Sequence, residues 1–370
     1  MENRKVTIPW INCAKFMAIC GVLVDHTTRI LYTNPRLHFA SFFAVSLFIL
    51  ISGLLSYRSI SHHNYSYTKT VVHSLKKIVL AYLVATFIYQ VWAYKSFDLQ
   101  RYIYGLILFN TSGPFYYVLL YIHLILISKI LYNFLALETK VSLIKDVTIG
   151  YCVIIIAYIT TNHSNILNIY GGGGKLFGGT YLFLFYLGMI VEKYKVFEKT
   201  TTVKCLISAG IGGLIYLVCW DFACFDRLKI DNRIHFGAIN PPGVTFIGLA
   251  IGMNLFCYGA FSAINRIKFM SYIVSFISWL GSHTLYIFLF HRFWLDYILR
   301  PYVIISDAYI KSIVYFSIMI GGSIFIEFCI SHIALMYSNI ARKRLPIQSA
   351  TSIDGIIAGR AQQPRQFKPD

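Results

Sequence analysis

Charge is scarce in this chain, and negative charge is scarcest. Only 13% of the 370 residues are charged and 57% are hydrophobic; 33 Lys and Arg face 15 Asp and Glu, a net charge of +18. Mean hydropathy is +0.63. A soluble domain carries about a quarter charged residues, so this shortage excludes a soluble globular protein. The apolar runs are long and do not alternate, which excludes a β-barrel. Cysteine pairs at zinc spacing are absent. The eight cysteines (Cys13, Cys20, Cys152, Cys205, Cys219, Cys224, Cys257 and Cys329) sit mostly in apolar runs and read as packing residues. Low-complexity repeats and an extended soluble domain are absent too. No small-residue cleavage site follows the first apolar stretch, which therefore reads as a retained span and not a signal peptide.

What is present is the pattern of an all-α polytopic membrane protein. Ten apolar stretches read as spans: roughly 8–28, 39–57, 76–94, 113–135, 143–161, 178–193, 203–220, 244–262, 276–299 and 311–336. Two shorter mixed stretches, about 101–110 and 269–278, suit the membrane interface. With the N-terminus in the cytoplasm, the loops on that side collect most of the Lys and Arg. They run from Arg4 and Lys5 through Arg58, Lys76, Lys77, Lys145, Lys193 and Lys204 to the tail, while the acids split evenly. That is the positive-inside pattern, with both termini cytoplasmic. The lipid bilayer, with its anionic headgroups, is the natural counterpart of the +18 charge, and nucleic acid is not. Residues 1–338 read as the membrane domain and 339–370 as a basic, mobile cytoplasmic tail. Two outer loops exceed a tight turn: 161–177, with four glycines at 171–174, and 221–243, which carries Asp226, Arg227, Lys229, Asp231, Arg233 and His235. The glycine run lacks a following Lys-Ser/Thr helix and is not a phosphate-binding loop.

The first span holds the densest chemistry. It is apolar except for Asn12, Lys15, Asp25 and His26. Eleven residues are almost three helical turns, so Lys15 and His26 point the same way about 16 Å apart, with Asn12 one turn before Lys15. Ionisable groups in a bilayer face a bundle interior or a wet cavity. His26 suits a general base, and the alternative is a histidine hydrogen-bonded within the bundle. Asp25 points about 100° away from it on a helix and is not automatically its orienting partner. Lys15 has three readings: an anchor for an anionic group, a partner for a buried acid, or a snorkelling side chain. Ser52, Gly53 and Ser56 let a helix or a ligand approach. Lys76 and Lys77, with Arg58 nearby in sequence, make a cationic mouth suited to phosphates, or simply follow from topology. Tyr116 and Tyr117 fit an interfacial belt or a sugar-stacking surface. His123 reads as a core histidine. His283 and His291, eight apart, lie near one face, and no further ligand stands at metal spacing, so no metal is expected. Glu327 is the acid placed deep in a span and suits an internal ion pair.

Several of these segments coincide with one family. The chain resembles the type-3 integral membrane acyltransferases, which O-acetylate bacterial surface glycans. The resemblance rests on Lys15-x10-His26, Phe48-x3-Ser52-Gly53, Lys77-x4-Tyr82, Phe115-Tyr116-Tyr117, Tyr186-x-Gly188-Met189 and Leu280-Gly281-x2-Thr284-Leu285-x-Ile287-x3-His291. Asn12 stands where that family usually has Asp, and Lys15 and Lys77 stand where Arg is common; lysine keeps the charge and loses the bidentate fork. The resemblance implies transfer of an acyl group, most often acetyl, from acetyl-CoA or another acyl-CoA to a glycan hydroxyl at a bacterial inner membrane. His26 would be the base and Asp25 its neighbour. Asn12, Lys15, Arg58, Lys76 and Lys77 would line the donor path. Ser52, Tyr116, Tyr117, His283 and His291 would serve the acceptor or the structure of the site. The alternative is a polysaccharide exporter or flippase, for which inverted repeats and broken helices are the usual marks; no clear repeat is found.

Overall fold

The computed structural model describes residues 8–63, 67–137, 142–167, 171–198, 201–225 and 239–344. The charged stretch 226–238 and the tail from 345 lie outside the described residues. The chain divides into two compact units, Met1–Ile324 and Phe325–Asp370. The contacts and cavities described below belong to the first, and α14 runs from the first into the second.

Among the described residues there is no β-strand, only one isolated bridge between Thr28 and Tyr32. The helices are α1 (Pro9–Thr27), α2 (Pro35–Ser41), α3 (Ala44–His63), α4 (Tyr67–Tyr94), α5 (Leu99–Leu108), α6 (Tyr116–Ala136) and α7 (Ser142–His163). There follow α8 (Tyr181–Lys193), α9 (Thr202–Phe225), α10 (Val244–Ile264), α11 (Lys268–Ser282), α12 (Thr284–Phe293), α13 (Arg300–Tyr302) and α14 (Ala308–Arg344). Local chemistry sets several starts. Pro9 and Pro35 open α1 and α2, where a missing N–H costs nothing. The Asn34 side chain caps α2 by accepting from the Arg36 N–H at 2.9 Å, and Asp98 caps α5 from Arg101 at 3.2 Å.

Seven helical segments among the described residues are long and apolar enough to cross a bilayer, and the pair α11–α12, bent by 63°, makes an eighth. The ten-span reading counts two more. α1 is interrupted by its four polar residues and falls short in apolarity; α8 has 13 residues and falls short in length. Both are wrapped by protein: Ala14, Ala18, Ile19 and Leu23 on α1, and Leu184, Phe185 and Met189 on α8, have no exposed surface. The stretch 269–278, read as interfacial, belongs to α11 and packs along α1.

Glycines set the closest helix crossings. A Cβ on Gly53 of α3 would stand 1.9 Å from the Phe185 carbonyl oxygen of α8, and one on Gly188 of α8 would stand 2.0 Å from the Leu50 oxygen of α3. A Cβ on Gly281 of α11 would lie 1.9 Å from the Asn12 oxygen of α1. Backbones this close give dispersion contact that lipid cannot match.

Charge clamps add to this. Asp146 of α7 is 2% exposed; it accepts a hydrogen bond from Lys193 and one from the Tyr194 hydroxyl at 2.8 Å, with Lys145 3.5 Å away. The Tyr186 hydroxyl donates to the Asp146 carbonyl at 2.7 Å. Lys145 and Lys193 read in the sequence as loop charges of a positive-inside pattern; folded, they flank one carboxylate. Removing one member of such a buried pair leaves the other uncompensated.

Two substitutions test this packing. Gly281→Ala forces α11 off the α1 backbone and should destabilise the protein by about 2 kcal/mol. Gly113→Ala, whose Cβ would meet nothing within 4 Å, should change stability by less than about 0.5 kcal/mol. Thermal unfolding in detergent reads both, and equal effects would refute the close-contact account.

Candidate active site

α1 delivers Lys15 and His26 to two different cavities. Lys15 lines one of about 350 Å³, and His26 lines another of about 550 Å³. Both volumes fall within the roughly 300–1,000 Å³ of ordinary ligand sites. The eleven-residue step separates two compartments. One side chain, Phe288 of α12, lines both. Its ring lies 4.8 Å from the Tyr117 ring and 6.4 Å from the Phe48 ring, so an aromatic cluster stands between the cavities.

The lysine cavity draws Lys15 from α1, Lys77 and Ser74 from α4, and Ser52, Ser56 and Ser59 from α3. The small-residue motif at 52–56 thus divides its work. Gly53 lets α8 approach, while Ser52 and Ser56 face the cavity. Ser52 donates its own hydroxyl hydrogen to the Phe48 carbonyl at 2.7 Å. Tyr117 lines the lysine cavity and Tyr116 the histidine cavity, because adjacent residues on α6 point about 100° apart. Hydroxyl groups and two cations, with no acid among the described lining residues, suit a phosphorylated or otherwise anionic guest.

Three residues of the expected donor path lie elsewhere. The Arg58 guanidinium reaches Glu192 through Nε at 2.5 Å and Nη2 at 3.0 Å, a bidentate pair. Lys76 is exposed and does not line the cavity. The Asn12 amide donates to the Ser278 hydroxyl at 3.3 Å, tying α1 to α11.

In the histidine cavity, His26 pairs with His291. Their rings stack at 5.0 Å between centroids with 29° between planes. His291 is fully buried, and its Nδ1 donates to the Phe288 carbonyl at 2.7 Å and to Ile287 at 3.2 Å. That donation makes Nε2 the unprotonated nitrogen, and it has no hydrogen-bond partner among the described residues. The sequence placed His283 and His291 near one face. The break at His283 separates them, and the His283 ring lies instead 4.9 Å from the Trp279 ring.

Asp25 is not the orienting partner of His26. Its Oδ1 takes the Nε2 of His38 at 2.6 Å, and all three residues line the same cavity. His38 stands on the short α2, and nothing in its sequence neighbourhood marks it as functional. The pairing exists only because the chain turns back after Thr28. The segments around Gly172 and Asn240 close the cavity together. The Asn240 Oδ1 accepts from the Gly172 N–H at 3.0 Å and from the Tyr181 hydroxyl at 3.0 Å. Gly171 has φ +96°, and a Cβ on Gly173 would lie 2.3 Å from the Tyr116 carbonyl. The glycine run is thus a close-packing device at the cavity wall. Among the described residues no group of three His, Cys, Asp or Glu is arranged to hold a metal ion.

A family model described as an acyltransferase domain matches residues 8–332. No curated protein and no solved structure matches the chain. The matched range begins at α1 and includes every residue that lines either cavity.

Proposed function

Because the chain belongs to the acyltransferase 3 family, we propose that it moves an acyl group, most often acetyl, from acyl-CoA to a hydroxyl of a cell-surface or lipid-linked glycan. The observation that carries this reading is the pair of cavities on one helix. One holds Lys15 and Lys77, the other holds His26, and Phe288 lines both. Coenzyme A is an anion on a long thin arm. Its phosphates suit the lysine end, and its thioester would reach past Phe288 toward His26. With the positive-inside orientation, the lysine cavity opens to the cytoplasm and the histidine cavity to the other face of a bacterial inner membrane.

His26 is the base in this scheme. Its unprotonated nitrogen takes the proton of the acceptor hydroxyl as the oxygen attacks the thioester carbonyl. The carbon–sulfur bond breaks, and the same proton passes from the imidazolium to the leaving thiolate, so the products are an ester and a free thiol. His291 fixes the plane of the His26 ring by stacking and adds no charge of its own while neutral. Lys15 and Lys77 bind the donor about equally in the ground and transition states, so they act on donor affinity more than on turnover. The exporter reading yields to the family membership.

His26→Ala should lower thiol release from acetyl-CoA by at least about 100-fold, with folding matched to wild type. Thiol release by purified protein in liposomes reads this, and an unchanged rate would remove His26 from the chemistry. Lys77→Ala should raise the donor KM about tenfold and leave kcat within a factor of two or so. Arg58→Ala should instead lower thermal stability, because it strands Glu192. A donor KM raised as far by Arg58→Ala as by Lys77→Ala would return Arg58 to the donor mouth.

A further inference from the structure

The two cavities carry opposite charge. Among the described residues, the lysine cavity is lined by two cations and no acid, and the histidine cavity has Asp25 as its one fixed charge. Asp25 is spent on His38, not on His26.

A structural role for this pair would be to hold α2 against α1. α2 is already held from elsewhere. The Tyr216 hydroxyl donates to the Ala40 carbonyl at 2.6 Å, and Trp220 Nε1 donates to the Arg36 carbonyl at 2.9 Å. The Arg36 guanidinium sits 5.2 Å from the centre of the Phe225 ring. These contacts tie α2 to α9, so the His38–Asp25 hydrogen bond is not what keeps it in place. The side chains also remain open to the cavity: His38 is 34% exposed and Asp25 32%. Hydrogen bonds kept for packing alone need no such opening.

The pair presents acceptors. With Nε2–H donated to Asp25 Oδ1, His38 Nδ1 carries a lone pair, and Asp25 Oδ2 carries others. Two neighbouring acceptors match two hydroxyl donors, as adjacent hydroxyls of a polyol supply. The Phe42 ring, 4.5 Å from the His38 ring, lines the cavity beside them and offers an apolar face to a sugar ring. A guest bearing a carboxylate or phosphate would bring its charge to Asp25 with no Lys or Arg among the described lining residues, and Arg292, whose charge reaches Asp25 from outside the lining, is already paired with Asp296.

We propose that the His38–Asp25 pair is the acceptor-recognition site of the histidine cavity and that it selects uncharged polyols over anionic ones. The proposal rests on the acyl-transfer reading and narrows its acceptor class.

The test uses purified protein with acetyl-CoA and two probes, 4-nitrophenyl glucoside and 4-nitrophenyl glucuronide, at equal concentration in one vessel. Ester products are counted by mass spectrometry, and thiol release is followed in parallel. Wild type should acetylate the glucoside at least about tenfold faster, the equivalent of one charge repulsion of ordinary size. Asp25→Asn should bring the product ratio toward one. His38→Gln should raise the KM for the glucoside by roughly 10- to 100-fold, the worth of a hydrogen bond to a charged pair. The ratio within one vessel does not depend on how much protein is folded, so a general loss of structure does not mimic the result. The proposal is overturned if wild type prefers the glucuronide or treats both alike, if Asp25→Asn leaves the ratio unchanged, or if neither glycoside is esterified while thiol release continues and depends on His26. Absence of thiol release from wild type would instead sink the acyl-transfer reading itself.

Discussion

A lysine and a histidine on one face of a single helix cannot be left against lipid, and most of this fold follows from enclosing them. An ionisable side chain in hydrocarbon costs several kcal/mol unless protein or water surrounds it. α1 is therefore an enclosed element of the bundle, with its buried residues spread from Trp10 to Thr27, and not one of its lipid-facing walls. α11 lies along it at backbone contact through Gly281 and Asn12. α3, α10 and α12 pack on it as well. The break at His283 turns α12 so that Phe288 and His291 face the α1 stripe at two heights. Without that bend the helix would carry His283 and His291 on one face and bring neither to His26 in this way.

Enclosure also creates the two compartments. Lys15 and His26 are about 16 Å apart along the axis, farther than one small cavity spans, and the aromatic cluster of Phe48, Tyr117 and Phe288 fills the space between them. The consequence for chemistry is separation of charge. Cations and hydroxyls line one side, while two imidazoles and a carboxylate line the other. Under the proposed transfer, such a division keeps a polyanionic donor out of the acceptor's place.

The basic residues show where charge counting stops being informative. A positive-inside count treats Arg58, Lys145 and Lys193 alike, as surface charges near headgroups. In the folded chain Arg58 is committed to Glu192, and the two lysines flank Asp146. Lys77, by contrast, does reach a cavity. No feature of local sequence distinguishes these residues, since each is a Lys or Arg beside an apolar run. The difference lies in what α8 and α7 place opposite them.

The helical class, the membrane setting and the α1 stripe were legible in the sequence, because each depends on composition or on the 3.6-residue period of one helix, which neighbours do not alter. The ordered motifs likewise marked the acyltransferase family before any contact was known. The span count was less legible: α1 and α8 are sheathed by protein, and hydropathy measures only what lipid demands. Four features belong to the tertiary structure alone: His38 on Asp25, His291 on His26, Arg58 on Glu192, and Phe288 between two cavities. Each joins residues on different helices, or across a turn whose path the residues do not announce. A period along one helix says which way a side chain points. Only the packing of the others decides what it meets.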